Sequence, residues 1–487
     1  MNDSFPQIRA ASIDGRAHNI LYRQTQLERL CKVLVERSPD ITQAIATDYG
    51  HSPAEIAVEL HLTLAAVKRD YASLQPAEAY KQEYLLAAGK DASFSRKPAG
   101  IVYIEPCMHT MFYSVVVPLS AAIAAGNCVI VLLENNLRAV SGALRQILPS
   151  ALDRDTFAIA SSPAWDHVLP SSAIHVIHCG DEKRSGANTL VLTSSTPTVA
   201  VVDRTANVQL AARELVAARF SFGGQSPYAP DCVLVNEFVK QAFLQAVVSE
   251  CVKLATGETV NGHEKRKLPV IDKVQEHISS MKQGDPSLRV ILQERKMAVV
   301  DSASRTPDLL ARKRGLPVLV VYAIRSLDDA IDLIGSASNG SPYLAAYHFG
   351  NLATGKYLAQ FVDARLSFIN NIPRDILVGP EFPAAHFIDP AVRFPADLFS
   401  VQRPAFIRPR PDVALFEEAL SSPNNAAAQR LLGEATAPLA IMKRSQGGGV
   451  GFFEQGFFLG LGLILTTTIS ISGVGVYWWI MRGYQRL

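Results

Sequence analysis

The chain has 487 residues, of which 48% are hydrophobic and 19% are charged, and its mean hydropathy is +0.13. This length allows two or three domains with large cores, and the hydrophobic content is high for a soluble protein, so we expect a membrane segment. The 47 Lys and Arg residues balance 45 Asp and Glu residues to a net charge of +2. Without a basic excess or interleaved aromatic residues, nucleic acid is excluded as a partner.

Cysteine and histidine usage indicates a reduced protein without a metal site. The six cysteines form no Cys-x-x-Cys pair and lie in apolar or mixed runs, which is typical of buried thiols in a cytosol-facing protein. His175 and His178 share one strand-like run, but strand alternation places them on opposite faces. We therefore interpret both histidines as structural.

The first half of the chain begins with helices and continues with alternating elements. Residues 22–49 are predicted to be helical with a break at Ser38-Pro39, and a second helix is predicted from Pro53, after Ser52 as N-cap, to about Leu74. Residues 82–95 are more strand-like. Further strands are predicted over 100–104, 128–133 and 174–178, and further helices over 115–125 and 139–148.

The second half has the same style of organisation. Strands are predicted over 232–235, 317–322, 344–349 and 366–370, and helices over 207–220, 237–255 and 327–334. Strands that alternate with helices form βαβ units, whose parallel sheets are covered on both faces. We therefore predict an α/β fold with two parallel-sheet units.

The C-terminal region is different in kind. No charged residue occurs from Gln455 to Met481, and about 20 apolar residues suffice to cross a bilayer core. Tyr477, Trp478 and Trp479 lie at one end, where an aromatic belt is expected. We predict a Gly-rich joint over 446–455 and a transmembrane helix over 456–481. The alternative is a buried helix of the globular part.

The placement of this helix predicts a tail anchor. The N-terminal residues 1–19 are polar and mixed, without the apolar core of a signal peptide. We therefore expect a single pass at the C-terminus with the main domain in the cytosol. The residues that flank the predicted span are not strongly basic, so the endoplasmic reticulum is the membrane that we expect first.

Three segments resemble one enzyme family. Residues 223–231, Gly-Gly-Gln-Ser-Pro-Tyr-Ala-Pro-Asp, resemble the Gly-Gln-x-Cys-x-Ala-Pro-Asp segment of the aldehyde dehydrogenase superfamily. Residues 118–127 resemble its Pro-Leu-x-x-Ala-Ile-Ala-Ala-Gly-Asn helix and turn. Residues 399–404 resemble a segment of the fatty-aldehyde-type branch, whose members carry a C-terminal membrane span. The resemblance covers roughly residues 24–408.

The resemblance implies a domain order. Residues 1–200 would form N-terminal helices and a degenerate, Rossmann-like nucleotide-binding domain, in which 82–95 is a candidate oligomerisation strand. Residues 201–390 would form a catalytic-type α/β domain, also Rossmann-like. Residues 391–445 would form a C-terminal segment with a further oligomerisation strand.

The positions that carry the family's chemistry differ here. Pro227 takes the place of the nucleophilic cysteine, and proline has no nucleophilic side chain. Val191 takes the place of the general-base glutamate and cannot accept a proton. His109 takes the place of the oxyanion-binding asparagine, although a histidine is able to donate a hydrogen bond to an oxyanion.

The positions that would hold NAD or NADP differ as well. Leu132 and Asn135 replace the lysine and glutamate that hold the adenosine ribose in the family. The phosphate-facing segment begins at Gly180 but continues with Asp181 and Glu182, whose charges oppose a diphosphate. Lys313 replaces the glutamate that holds the nicotinamide ribose. No cofactor is therefore expected.

These departures together indicate a pseudoenzyme. We expect a membrane-tethered, aldehyde dehydrogenase-like protein that acts as a binding module, a scaffold, or a partner of a related active enzyme. A hydrophobic small molecule is a candidate ligand. Residues 82–95 and 401–410 are candidate segments for a homodimer or a heterodimer.

Two alternatives stay open. The chain is also compatible with an active oxidoreductase that uses NAD or NADP on a hydrophobic aldehyde at a membrane by an altered mechanism. Cys107, two residues before His109, is then a candidate nucleophile, as is Cys232, which otherwise reads as a buried core thiol. A structural protein unrelated to aldehydes is the third hypothesis.

Overall fold

The structure is a computed structural model that divides into two units, Met1–Ile407 and Arg408–Leu487. It describes residues 5–90, 95–163, 170, 172–178, 188–192, 195–259, 270–294, 297–304, 310–383, 388–403, 412–421, 426–440 and 451–484.

In the part of the chain that the structure describes, five α-helices precede the first strand. The predicted break at Ser38-Pro39 separates α2 from α3, and α4 begins with a capping box in which Ser52 and Glu55 bond to each other's backbone N–H groups. The helices are α1 (Pro6–Asp14), α2 (Ile20–Glu36), α3 (Ser38–Tyr49), α4 (Pro53–Ser73) and α5 (Pro76–Ala87).

The predicted strand over 82–95 is wrong in its first part. Residues up to Ala87 belong to α5, because Pro76 at its start and the good helix formers after it favour a helix. A strand, β1 (Arg96–Pro98), follows only after residues 91–94, which lie outside the described part. It pairs antiparallel with β14 (Ser400–Gln402) to form a two-stranded sheet.

A five-stranded sheet forms the first half of the α/β part. All its strands are parallel, in the order β4-β3-β2-β5-β6. They are β2 (Ile101–Glu105), β3 (Cys128–Leu132), β4 (Phe157–Ala160), β5 (Ile174–Ile177) and β6 (Thr189–Val191), with helices α6 (Met111–Ala124) and α7 (Ala139–Ala151) between them.

The two faces of this sheet have different covers. Residues of α6 and α7 join the main hydrophobic core with alternate strand residues such as Val102 and Val131. The other face packs against α1, where Ile8 lies in one cluster with Tyr103 and Leu132. Helix α1 is not predicted by the polar, mixed sequence of residues 6–14.

A seven-stranded sheet forms the second half. Its order is β13-β12-β7-β8-β11-β10-β9, parallel except for β9, which pairs antiparallel with β10. The strands are β7 (Thr198–Val202), β8 (Cys232–Asn236), β9 (Arg289–Glu294), β10 (Met297–Ser302), β11 (Val318–Ile324), β12 (Ala345–Phe349) and β13 (Ser367–Ile369). The helices are α8 (Val208–Phe220), α9 (Glu237–Thr259), α10 (Val270–Gly284), α11 (Leu327–Ser338) and α12 (Leu352–Phe361). The predicted α/β class with two parallel-sheet units is confirmed.

The second unit contains α13 (Val413–Ser421), α14 (Ala426–Ala435) and α15 (Phe452–Tyr484). Within α15, the 25 residues Glu454–Trp478 are long and apolar enough to cross a membrane, and none of the window is buried. The predicted joint over 446–455 is shorter than expected at its C-terminal end, since α15 begins at Phe452. Its residues 446–450 lie outside the described part.

Candidate functional site

The segment after α8 turns sharply before it reaches β8. Phe222, Gly223 and Gly224 have left-handed backbone conformations, with φ of 51°, 63° and 67°. A Cβ on Gly224 would lie 2.7 Å from the backbone of Leu316 and Pro317, so only glycine fits between the two chain segments. Phe222 is a bulky residue at a strained φ. The turn therefore depends on close packing against the segment that leads into β11.

Asp231 ends this segment in a buried ion cluster. Its carboxylate accepts hydrogen bonds from Arg219 at 3.2 Å, from Lys313 at 2.9 Å, and from the backbone N–H of Thr198 at 2.9 Å. Burial alone would raise the pKa of Asp231, but the charges of Lys313 and Arg219 outweigh it and hold the pKa below its ordinary value. The carboxylate thus ties the segment to α8, to β7 and to the chain before β11.

Lys313 faces this cluster. Besides the Asp231 carboxylate, its ammonium donates to the backbone carbonyls of Pro227 and Ala229. The three N–H donors of a lysine are therefore matched by three acceptors. Burial lowers the pKa of Lys313, against the pull of the Asp231 carboxylate. The side chain holds the segment that carries Pro227.

A cleft of about 240 Å³ opens beside Pro227. Three positions that the sequence assigned to chemistry, Pro227, His109 and Cys107, all line it. Their family roles remain predictions, but the structure brings the three residues together. The other lining residues are Met108, His178, Leu192, Gln225, Gly315, Pro380 and Glu381.

The ring proton of His109 is already used in a hydrogen bond within the protein. Its Nε2 lies 2.9 Å from the carbonyl oxygen of Leu377, and because a carbonyl only accepts, Nε2 must carry the proton. Burial lowers the pKa of His109 to about 4, so the ring is neutral at pH 7 and Nδ1 has no proton. In this arrangement the Nε2 proton is directed to Leu377, and the oxyanion role of His109 stays a prediction.

Cys107 lies in the same loop and is also bonded. Its thiol donates to the backbone carbonyl of His109, with an S···O distance of 2.9 Å, and the side chain is buried. A thiol that donates to a carbonyl is stabilised as the protonated form, whereas nucleophilic attack needs the thiolate.

Helix α4 is hydrogen-bonded to two of the chain segments that contribute residues to the cleft. Glu55 accepts a hydrogen bond from the backbone N–H of Phe222, at the turn before Pro227. One turn later, Glu59 accepts from the backbone N–H of Tyr113, in the first turn of α6. Burial raises the pKa of Glu59 from 4.5 to about 7. Two carboxyl groups on one helix therefore position the segments that carry Pro227 and His109.

His178 is a cleft residue that the sequence analysis interpreted as structural. It directly follows β5 and stacks on Phe394, with ring centroids 5.5 Å apart. The predicted opposite orientation of His175 is confirmed, since that ring lies against Tyr103 on the α1 side. The position of His178 at the end of a predicted parallel strand could have indicated a cleft residue, because ligands of open α/β sheets bind beyond the carboxyl ends of the strands.

The predicted base position offers no base. Val191 ends β6 and is half-buried, and its neighbour Leu192 lines the cleft. The one carboxyl in the described lining is Glu381, whose partner Arg365 lies at 3.6 Å. Among the described residues, no group of three or more His, Cys, Asp or Glu is placed to hold a metal ion.

Cys232 lies away from the cleft lining. It is the first residue of β8, fully buried in the core. Burial raises the pKa of its thiol to about 12, so the thiol stays protonated at neutral pH. The structure supports its interpretation as a core thiol.

Two of the predicted cofactor positions, Leu132 and Asn135, lie at or near the end of β3. Leu132 is 8% exposed and packs beneath α1 with Ile8. Asn135 is exposed in the loop that follows. Gly180 and Asp181 lie outside the described residues. Leucine offers no hydrogen bond to a ribose, and here its side chain belongs to the core.

Curated proteins match most of this chain. Mouse aldehyde dehydrogenase family 3 member A2 is 24% identical over 444 residues, covering 82% of this chain and 87% of the mouse protein. The 4,4'-diaponeurosporen-aldehyde dehydrogenase of Staphylococcus aureus is 24% identical over 346 residues, covering 65% and 73% of the two chains. No model of a known protein family matches the sequence.

Solved structures share the fold. The substrate-bound AldH of Staphylococcus aureus has a TM-score of 0.66 at 17% identity and covers 88% of this chain and 98% of its own. Glyceraldehyde-3-phosphate dehydrogenase GapN of Methanocaldococcus jannaschii, complexed with NADP, has a TM-score of 0.61 at 14% identity, covering 82% and 91%. Because one of these structurally similar enzymes is complexed with NADP, the comparisons do not support the expectation that no cofactor binds.

Proposed function

This chain has the aldehyde dehydrogenase fold and has aldehyde dehydrogenases of family 3 among its relatives, and from that premise we propose that it is a membrane-anchored binding or scaffold protein without NAD(P)-dependent aldehyde oxidation. The observation that carries the proposal is the cleft, where Pro227 stands at the position expected of the nucleophile.

The chemistry of the lining supports this proposal. Aldehyde oxidation through a covalent intermediate requires a thiolate, a base and donors to the oxyanion. Pro227 offers no nucleophile, and Val191 offers no base at the predicted base position. The Glu381 carboxyl in the lining is paired with Arg365, and the proton of His109 is directed to Leu377.

The fit of a dinucleotide is poor for the described residues. Leu132 is packed under α1, and Lys313 is directed to Asp231 and the carbonyl of Pro227. Neither side chain is free to hold a ribose hydroxyl. We therefore derive no reaction step through NAD or NADP.

The anchor in this proposal is α15. Its apolar span is followed by Arg482, whose guanidinium lies 4.3 Å from the centroid of the Trp478 ring. Such an aromatic and basic pair suits the interface of a membrane. We place the first unit on the cytosolic side, with the endoplasmic reticulum as the membrane.

Association with a second chain is the scaffold part of the proposal. The two-stranded sheet β1–β14 carries Val401, which is 43% exposed on a strand edge. An exposed edge is able to pair with another chain. We propose a homodimer, or a heterodimer with an active relative, through this sheet.

Cys107 favours a second candidate function. Because it lines the same cleft as Pro227, an active oxidoreductase on a hydrophobic aldehyde would use this thiol as the nucleophile, with NAD or NADP as oxidant. The hydrogen bond from the thiol to the His109 carbonyl makes this candidate the weaker one.

The test combines cofactor binding and turnover. The full chain in nanodiscs is titrated with NAD and NADP, and reduced cofactor is followed with a long-chain aldehyde. We expect no saturable binding and no turnover. Saturable binding of NAD or NADP with a micromolar Kd would contradict the proposal.

The Cys107→Ala variant separates the two candidate functions. If the wild type turns over the aldehyde and Cys107→Ala does not, the second function replaces the first. Pro227→Cys is the matched comparison, which we expect to be alkylated by iodoacetamide without gaining turnover, because the base and cofactor positions are still lacking.

A further inference from the structure

His178 has hydrogen-bonding capacity that the protein does not use. Its side chain is 1% exposed, and neither ring nitrogen has a hydrogen-bond partner among the described residues. Buried polar groups are nearly always paired, so an unpaired one at a cleft points to a ligand. The ring is held in place by its stacking on Phe394.

The charge state of His178 defines what it can bind. Burial, with a contribution from the nearby Arg393, lowers the pKa of His178 to about 3. The imidazole is therefore neutral at physiological pH, with one nitrogen as donor and the other as acceptor. Such a ring suits a hydroxyl or carbonyl oxygen and provides no charge to hold an anion.

The rest of the lining has the same character. Among the described lining residues there is no Lys or Arg, and Glu381 is the one carboxyl. The cations near the described lining already have partners. Lys313 is bonded to Asp231 and to the Pro227 carbonyl, Arg365 is paired with Glu381, and Arg393 donates to backbone carbonyls such as that of Pro380. A carboxylate or phosphate would therefore lie close to the Glu381 carboxyl, while the cations near the described lining are already paired.

We propose that the cleft binds an uncharged, largely apolar molecule through a hydroxyl or carbonyl oxygen that hydrogen-bonds to His178. This inference rests on the proposed binding function and names the ligand class. The volume of about 240 Å³ lies below the roughly 300–1,000 Å³ of drug-sized pockets. Since an apolar cavity of about 150 Å³ accommodates benzene, a benzene ring with one polar substituent fits here.

The experiment compares three probes of one size. Benzyl alcohol, benzaldehyde and benzoate are titrated against the full chain in nanodiscs by saturation-transfer NMR, with empty nanodiscs as the blank. We expect saturable signals for the alcohol and the aldehyde and none for benzoate. Both uncharged probes should bind because a neutral imidazole pairs with a hydroxyl or a carbonyl oxygen, and benzoate tests whether the cleft excludes a charged group.

Two variants, one in β5 and one directly after it, test the role of His178. We expect His178→Phe to weaken binding about fivefold, equivalent to ~1 kcal/mol at about 1.4 kcal/mol per factor of ten. His175→Phe makes the same change on the α1 side and should bind like the wild type. His178→Phe should also raise the Tm of the free protein, because it removes two unpaired nitrogens. A purely structural histidine would give a lower Tm.

Several results would overturn this inference. They are equal binding of benzyl alcohol by His178→Phe and the wild type, binding of benzoate as tight as that of the alcohol, or no saturable signal for either uncharged probe. The NAD and NADP titration is independent, because it reports the proposed loss of oxidation and not the role of His178.

Discussion

The two sheets of the first unit accommodate unusual side chains in opposite ways. Beside the seven-stranded sheet, Lys313 turns inward and becomes a donor in a buried polar network around Asp231. Beside the five-stranded sheet, Leu132 is absorbed into an apolar core that α1 covers. One side buries charged groups by pairing them, and the other buries apolar side chains by packing them. The Gly-Gln and Ala-Pro-Asp residues thus have a structural role in this fold, whichever of the two candidate functions holds.

The largest effect should come from breaking the polar side. Asp231→Asn leaves Arg219 and Lys313 without their shared counter-ion in the interior, and breaking a buried pair costs about 3–5 kcal/mol. Thermal unfolding of the full chain in detergent, followed by circular dichroism, should show a strong fall in Tm. The control is Asp397→Asn, whose partner Arg96 is exposed. Equal Tm values for the two variants would contradict the importance of the cluster.

The turn beside Pro227 should be the next most sensitive position. Gly224→Ala combines a left-handed φ with a Cβ placed 2.7 Å from the backbone of Leu316, so we expect a loss of about 3 kcal/mol in the free energy of unfolding. Gly223→Ala is the matched control, since it also has a positive φ but no neighbouring atom within 4 Å. Its expected loss is about 1 kcal/mol. Similar losses for both would show that the close approach is unimportant.

Glu59 should make stability depend on pH. Its pKa rises from 4.5 to about 7 on folding, so the folded state prefers the protonated acid. The stability that it contributes is complete below pH 4.5 and is lost as the pH rises through about 7, which amounts to roughly 2 kcal/mol between pH 5 and 8. Glu59→Gln should remove this part of the dependence in Tm measurements. The exposed Glu78→Gln should keep the wild-type slope.

Local sequence patterns predicted the helices and strands more successfully than they predicted the contacts between these elements. Ser38-Pro39 and Ser52-Pro53 marked helix boundaries because caps and prolines act locally. The strand-like Tyr84-Leu85-Leu86 run proved helical, since its neighbours decide between the two periods. Apolar runs predicted both sheets.

Long-range pairing limited the prediction of the site. Nothing near Lys313 in the sequence indicates Asp231, 82 residues away, as its partner. The proposed role of His178 in ligand binding depends on its two ring nitrogens, which have no hydrogen-bond partner among the described residues of the folded chain. α1 was missed because Ile8 and Ala11 are its two buried residues, too few to give a periodic signal.

The smallest expected effect tests the apolar side of the comparison. Ile8 lies on the buried side of α1 and is 1% exposed, whereas Ile13 on the same helix is 85% exposed. Ile8→Ala should cost about 2 kcal/mol, the lower end for a buried isoleucine, and should increase hydrogen exchange in β2 and β3. Ile13→Ala should change neither. If Ile8→Ala instead gains saturable binding of NAD, then α1 covers a cofactor site that the sheet has kept, and the contrast between a paired and a packed side would no longer hold.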